Sequence, residues 1–291
     1  GRMKAAEAFV LIGNGQWGAA LEMLIDGYSH GPEQHDYGTR LWFFLLRCRI
    51  SICRGQRETL TTDLAEMEAI ARRASSPQFA SWIRLVQAML ALYVGDLAQA
   101  SQLCSEARQL ESQSGERAAG ANLQALESLL AVRIGNEAEA HRGILETVRM
   151  LQTLAPVGNS NPSLNACLME AAFELWRRSH GQARAETERL LRRALAEVRR
   201  VGAIFPICRS SVYLWHGLYA ASHGQRSIGA WLVREAVTSA QRYSLSFDEG
   251  LAREVLAEIH SQEGKPELAR AERRMASTLF ERVGAAYYVR R

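Results

Sequence analysis

Lysine is almost missing from this 291-residue chain: Lys4 and Lys265 stand among 35 basic side chains, and the rest are arginine. The 31 acidic residues are interspersed with these arginines, leaving a net charge of +4 and no stripe of one sign. The concentrated basic face of a nucleic-acid binder is therefore not expected, although pairs such as Arg192-Arg193 and Arg273-Arg274 occur. Cysteine is sparse, odd in number and scattered: Cys48, Cys53, Cys104, Cys167 and Cys208 contain no CxxC pair. That spacing excludes a disulfide framework and a zinc site, and predicts small buried thiols. No apolar run approaches the length that spans a bilayer, and no secretory leader is visible, so a cytoplasmic protein is the expectation. No HExxH and no GxxxxGK[ST] loop occurs, and the seven histidines are dispersed. Neither metal-assisted hydrolysis nor nucleotide hydrolysis has a motif here. The expectation is a chain that is not an enzyme, with no catalytic residues, no metal and no cofactor.

What the chain has is rhythm. Gly15, Gly55, Gly95, Gly135, Gly181, Gly224 and Gly264 follow at intervals of 40, 40, 40, 46, 43 and 40 residues. A fixed period in this range marks a stacked repeat protein. Each glycine separates an apolar-rich segment of about sixteen residues from a more charged one of about fifteen, lengths that suit helices of four turns. The first segments, helices A, are read at Arg40–Arg54, Phe79–Val94, Ala118–Ile134, Ser163–His180, Ile207–His223 and Phe247–Glu263. The second, helices B, are read at Arg57–Ala74, Leu97–Glu111, Glu137–Leu154, Ala183–Val201, Ser227–Tyr243 and Pro266–Val283. Glycine at the junction suits a helix end with positive φ, and so short a connection forces the two helices antiparallel. All six prolines fall in linkers or first helical turns.

Small residues recur on both helices. Ala100 and Ala107 follow Gly95 by five and twelve positions, as Ala269 and Ala276 follow Gly264. Seven positions before the glycine stand Cys48, Ala88, Ser128, Gly217 and Ala257, with Glu174 the exception. This small-residue pattern resembles the tetratricopeptide repeat, but its period of about 40 is longer than that family's 34. Together with Glu188–Leu195 and the ending Leu279–Ala285, it is similar to the longer repeats in the superhelical sensor regions of MalT-like, STAND or AAA ATPase regulators. The resemblance implies an all-α, right-handed solenoid of about seven hairpins, residues 1–291 forming one superhelical domain. It further implies a sensing role in a bacterial signalling or transcriptional regulator, with a protein partner or small polar effector, and an ATPase or output domain on the same full-length chain. A free-standing scaffold for a partner peptide or protein is the alternative.

Two irregularities interrupt the rhythm. Helix A of the first unit, Lys4–Gly13, is short, which suggests that the sequence is a piece of a longer regulator. The long linker at 155–163 suggests a hinge. For binding, positions fifteen, eleven, eight and four before each glycine track one helix face. They give the candidate concave-face residues Arg47, Arg84, Gln87, Gln124, Glu127, Glu170, Tyr213 and His216. Arginine forks can hold carboxylate or phosphate, and tyrosine offers flat apolar area. Trp42 and Trp82 share a column thirteen before their glycines, near the concave rim, while Trp176, Trp215 and Trp231 lie on faces that read as core.

Overall fold

A computed structural model describes residues 2–29, 37–154 and 162–290, and among these there is no strand. The first four hairpins are α1 (Arg2–Gly13) with α2 (Trp17–Ser29), α3 (Tyr37–Arg54) with α4 (Arg57–Ala74), α5 (Pro77–Val94) with α6 (Leu97–Ser114), and α7 (Arg117–Ile134) with α8 (Glu137–Thr153). Then come α9 (Pro162–Arg178) with α10 (Gly181–Ile204), α11 (Arg209–Ser222) with α12 (Arg226–Arg242), and α13 (Ser246–Gln262) with α14 (Pro266–Val283). A one-turn helix, α15 (Ala286–Val289), ends the described chain. This is an all-α solenoid of seven hairpins. The expected helices are present, and α4 and α14 have the expected bounds. Two pieces escaped the pattern, α15 and a 3-10 turn at Pro206–Cys208, because three or four residues are too few to display a helical period. The expected hinge falls mainly on residues 155–161, which lie outside the described residues.

The turn chemistry is local. All seven periodic glycines have positive φ, from 55° at Gly181 to 91° at Gly95. In that region a Cβ would be strained, so glycine makes the turn cheaply, at the end of helix A in most hairpins and at the first residue of α10 for Gly181. In two repeats the next residue starts helix B: Asp96 accepts from the Gln99 N–H at 2.9 Å and Asn136 from the Glu139 N–H at 3.2 Å. The small-residue columns then let the paired helices touch. Ala88, Ala100, Ala107, Ala257 and Ala276 are fully buried, and a Cβ on Gly217 would meet Val233 at 2.7 Å and the Gly229 carbonyl at 3.0 Å.

The array curls until its beginning meets its end. The A–B turns of the first three hairpins pack against the B–A junctions of the last two. Trp17 Nε1 donates to the Tyr243 carbonyl at 2.8 Å, Ser246 Oγ to the Arg54 carbonyl at 3.3 Å, and Arg290 Nη2 to the Val94 carbonyl at 2.7 Å. Tyr93 of α5 stacks on Phe247 of α13 at 4.4 Å, and Phe247 meets Tyr288 of α15 edge-on at 5.1 Å. Such aromatic pairs contribute about 0.5–1.5 kcal/mol each beyond their buried area. Two apolar cores result, and each draws on both sides of the 155–161 segment. One joins α1–α5 to Val201, Phe205, Ile207, Ala240 and Leu245. The other runs from α5 to α15.

Gly55 and Gly135 separate the cost of the turn from the cost of the seam. A Cβ on Gly135 enters open space, whereas one on Gly55 meets Val283 at 2.7 Å. Gly135→Ala is expected to cost about 1–2 kcal/mol from the left-handed backbone alone. Gly55→Ala adds about 1–3 kcal/mol of overpacking. Urea unfolding midpoints of the two variants measure the difference.

Candidate functional site

The inner side of the curl is a groove whose walls are A helices of successive hairpins. It encloses about 570 Å³, within the usual range of ligand sites. Phe9 of α1, Trp42, Leu45, Arg49 and Ile52 of α3, and Trp82, Leu85 and Met89 of α5 line it, with Asn122 of α7 and Ser163 of α9 farther along. Counted back from their glycines, Trp42, Trp82 and Asn122 share position thirteen, while Phe9, Arg49 and Met89 share position six. The repeat therefore stacks equivalent side chains into rows across the groove.

Besides Glu116, Asn122 and Ser163 farther along, two groups give this apolar surface polarity. The Arg49 guanidinium lies 4.9 Å from the centre of the Phe9 ring. Burial pushes its pKa down, against the opposing influence of Cys53 and Cys208. Trp82 Nε1 is buried and makes no hydrogen bond among the described residues. A buried N–H without an acceptor costs about 1–3 kcal/mol, which a bound acceptor would recover. The arrangement can therefore take an apolar or aromatic group and one acceptor. Among the described residues no cluster of three or more His, Cys, Asp or Glu could hold a metal ion. All five cysteines are buried and unbridged, their thiols pushed up to about 12 mainly by burial.

None of the eight residues expected on a concave stripe lines this cavity. Five of them turn towards B helices and are engaged there. Arg47 grips Asp63 of α4 through Nε at 2.8 Å and Nη2 at 2.6 Å. Arg84 bonds Glu68 of α4 at 2.8 Å and Glu106 of α6 at 2.7 Å, and Gln87 donates to the same Glu68 at 2.9 Å. These donors outweigh burial and hold the Glu68 carboxyl below its usual range. Gln124 and Glu127 both receive Arg108 of α6. Burial keeps Glu127 raised despite Arg108. His216 is half-buried, its pKa lowered by burial and by Arg199 of α10, and Tyr213 packs on the C-terminal core. Arg84 also borders a smaller recess of about 250 Å³ with Glu68 and Pro77.

Glu170 belongs to the seam. Its carboxylate accepts from Tyr288 Oη at 2.6 Å and from Arg133 Nη2 at 3.2 Å, while Arg133 also donates to Tyr288 Oη at 2.5 Å and to the Leu92 carbonyl at 2.7 Å. The Arg133 guanidinium sits 3.9 Å from the Tyr287 ring centre. Burial alone would lower the Arg133 pKa, but Tyr288 and Glu170 raise it. Burial first, then Glu170, pushes the Tyr288 hydroxyl well up, so it stays a donor. This cluster ties α7 and α9 to α15.

The tryptophans divide. Trp42 and Trp82 face the groove rim as their column suggested. Trp176 and Trp215 are buried, but Trp231 is 54% exposed, which corrects the expectation of a core residue. It lies seven positions after Gly224 on the outer side of α12, where α11 and α13 cover only the opposite face.

The class defined by these features is a tetratricopeptide-like helical repeat array with an apolar inner groove. No family model and no curated protein matches the sequence. Among solved structures, a Rap protein complexed with Competence and Sporulation Factor is similar in fold, with a TM-score of 0.64 at 13% identity over 96% of this chain and 77% of that one. Apo RapI matches at 0.47, with 12% identity over 96% of this chain and 76% of the other. A STAND protein with a tetratricopeptide repeat sensor from Pyrococcus horikoshii gives 0.49, with 15% identity over 93% of this chain and 40% of the other. No described helix is long and apolar enough to cross a membrane.

The seam also buries Asp248, in the first turn of α13, with Ser210 Oγ donating to it at 2.8 Å. Burial raises its carboxyl to about 6, against the opposing Ser210 bond. An unfolded aspartate titrates near ~3.9, so between about pH 4 and 6 the folded chain holds a proton that the unfolded chain has lost. Stability from this group is full below that window, falls as pH rises through it, and stays reduced above. Asp248→Asn should flatten that slope and stabilise the protein at pH 7 by on the order of 3 kcal/mol, with little effect at pH 4. Paired urea titrations from pH 4 to 7.5 read the difference.

Proposed function

We propose that this chain is a non-catalytic sensing array whose effector, a peptide segment or small molecule with an apolar or aromatic group, sits in the inner groove and signals to an output or ATPase domain of a larger regulator. The observation that carries the reading is the groove itself: a largely apolar cavity of about 570 Å³ built from the A helices of the first hairpins, with the unpartnered Trp82 Nε1 in its wall. Concave repeat surfaces are where such arrays recognise ligands. The fold similarity to a Rap protein seen with Competence and Sporulation Factor supports a regulatory rather than a chemical role.

The switch follows from the shared helices. α3 and α5 form groove wall on one side and hold the seam at their C-terminal ends, through the Arg54 and Val94 carbonyls. An effector that prefers one spacing of these helices favours one state of the seam, and only that differential affinity shifts the equilibrium. Arg133, Glu170 and Tyr288 are the group through which the shift reaches α15.

A thermal-shift screen with short hydrophobic peptides and amphipathic small molecules tests the reading. The expected result is a hit whose shift is lost in Trp42→Ala and Trp82→Ala, both of which keep the helical circular dichroism of the parent. If Arg84→Ala or Tyr213→Ala abolishes the shift while the tryptophan variants keep it, the polar stripe is the binding face instead. If no ligand shifts the melting point and a single stoichiometric protein co-purifies, the scaffold reading replaces the sensor.

A further inference from the structure

The outer surface of the array is electrically divided along its length. Helices α2, α4, α6 and α8 carry six arginines against eleven acidic residues. Helices α10, α12 and α14 carry thirteen arginines against seven. The chain as a whole is close to balanced, so this polarity appears only when the B helices are taken together as the outer layer.

The basic end also carries most of the exposed apolar side chains of the outer layer, the acidic end having Ile25 on α2. Ile228 is 53% exposed, Trp231 54% and Leu268 50%. Ile228 and Leu268 each stand four positions after their turn glycine, and Arg234 and Arg274 each stand ten positions after it. α12 and α14 both pack on α13, so these are equivalent positions on successive outer helices. Trp231 lies on α12, one turn from Ile228 and from Arg234. Arg193, Arg234 and Arg274 are exposed and form no salt bridge among the described residues. An exposed tryptophan one turn from an unpaired arginine has the composition of an interface hot spot. An apolar patch rimmed with charge on an otherwise polar surface marks an interaction site.

We infer that the outer face of α12 and α14 docks an acidic, amphipathic protein segment, its apolar side chains against Trp231, Ile228 and Leu268 and its carboxylates on Arg234 and Arg274. Arginine forks give carboxylates bidentate, charge-assisted bonds. The exposed apolar side chains favour a protein partner over nucleic acid, whose backbone would use the arginines and leave Trp231, Ile228 and Leu268 in water. This face is separate from the groove and is built by other helices, so both can be occupied together.

The probe is a fluorescein-labelled, 18-residue synthetic helix with leucine on one face and glutamate on the other, read by anisotropy with the full chain. Controls are the same helix with lysine for glutamate, an oligoglutamate of equal length and a 20-base-pair DNA duplex. The expected result is binding of the Leu/Glu helix, weakened at least tenfold by Trp231→Ala and by Arg234→Glu. Trp82→Ala, in the groove, should leave it unchanged. Trp231 contributes little to the core, so its variant should melt within a few degrees of the parent. Four results overturn the inference: no binding of the Leu/Glu helix, equal binding of oligoglutamate, tighter binding of DNA, or loss of binding through Trp82→Ala alone. Concentration-dependent self-association abolished by Arg234→Glu would also overturn it, assigning the face to the acidic end of a second copy.

Discussion

Everything inside this molecule depends on the contact between its first three turns and its last two junctions. A stack of helical hairpins is an open ribbon, because each unit touches only its neighbours. Here the ribbon curls far enough that Trp17 reaches the Tyr243 carbonyl and Tyr93 stacks on Phe247. Residues more than 150 positions apart then share one core, and the A helices enclose a space between them. Beside its apolar contacts, the seam uses backbone carbonyls at helix ends, which have no partner within their own helix. Ser246, Trp17 and Arg290 satisfy such groups across the joint, so closing the array also completes its helix termini.

The seam holds buried polarity that an inert joint would avoid. Arg133, Glu170 and Tyr288 bond one another in pairs, and removing Arg133 or Glu170 breaks a buried ion pair, at a cost of about 3–5 kcal/mol. Asp248 accepts a hydrogen bond from Ser210 and is held towards its neutral form by burial. Such groups give the closed state a defined geometry and a sensitivity to charge that apolar packing alone would not.

The two surfaces carry different chemistry for a physical reason. On the inner side, side chains from adjacent A helices converge, so the surface is concave and partly desolvated, and Phe9, Trp42, Trp82 and Met89 are stable there with little polar help. On the outer side, B helices diverge, and long charged side chains keep their heads in water. Ile228, Trp231 and Leu268 depart from that rule, within the half of the outer layer where arginine is in excess.

The sequence by itself determined the unit and its count. Glycine at positive φ, Asp96 and Asn136 as helix starters, and columns such as Ala100 and Ala107 are local or nearest-neighbour effects, so they are written in residue type and spacing. The Trp42–Trp82 column was legible as well, though its role was not. An apolar groove and an apolar core use the same helical pattern, and a polar stripe that meets water looks the same as one that meets the next helix. For that reason Arg47, Arg84, Gln87, Gln124 and Glu127 could be grouped on one face without revealing that B helices engage them. Phe9, Arg49 and the Arg133–Glu170–Tyr288 cluster were invisible for a different reason. Their meaning depends on curvature, which sums small rotations over seven hairpins, and only the tertiary structure decides whether the first of them meets the last.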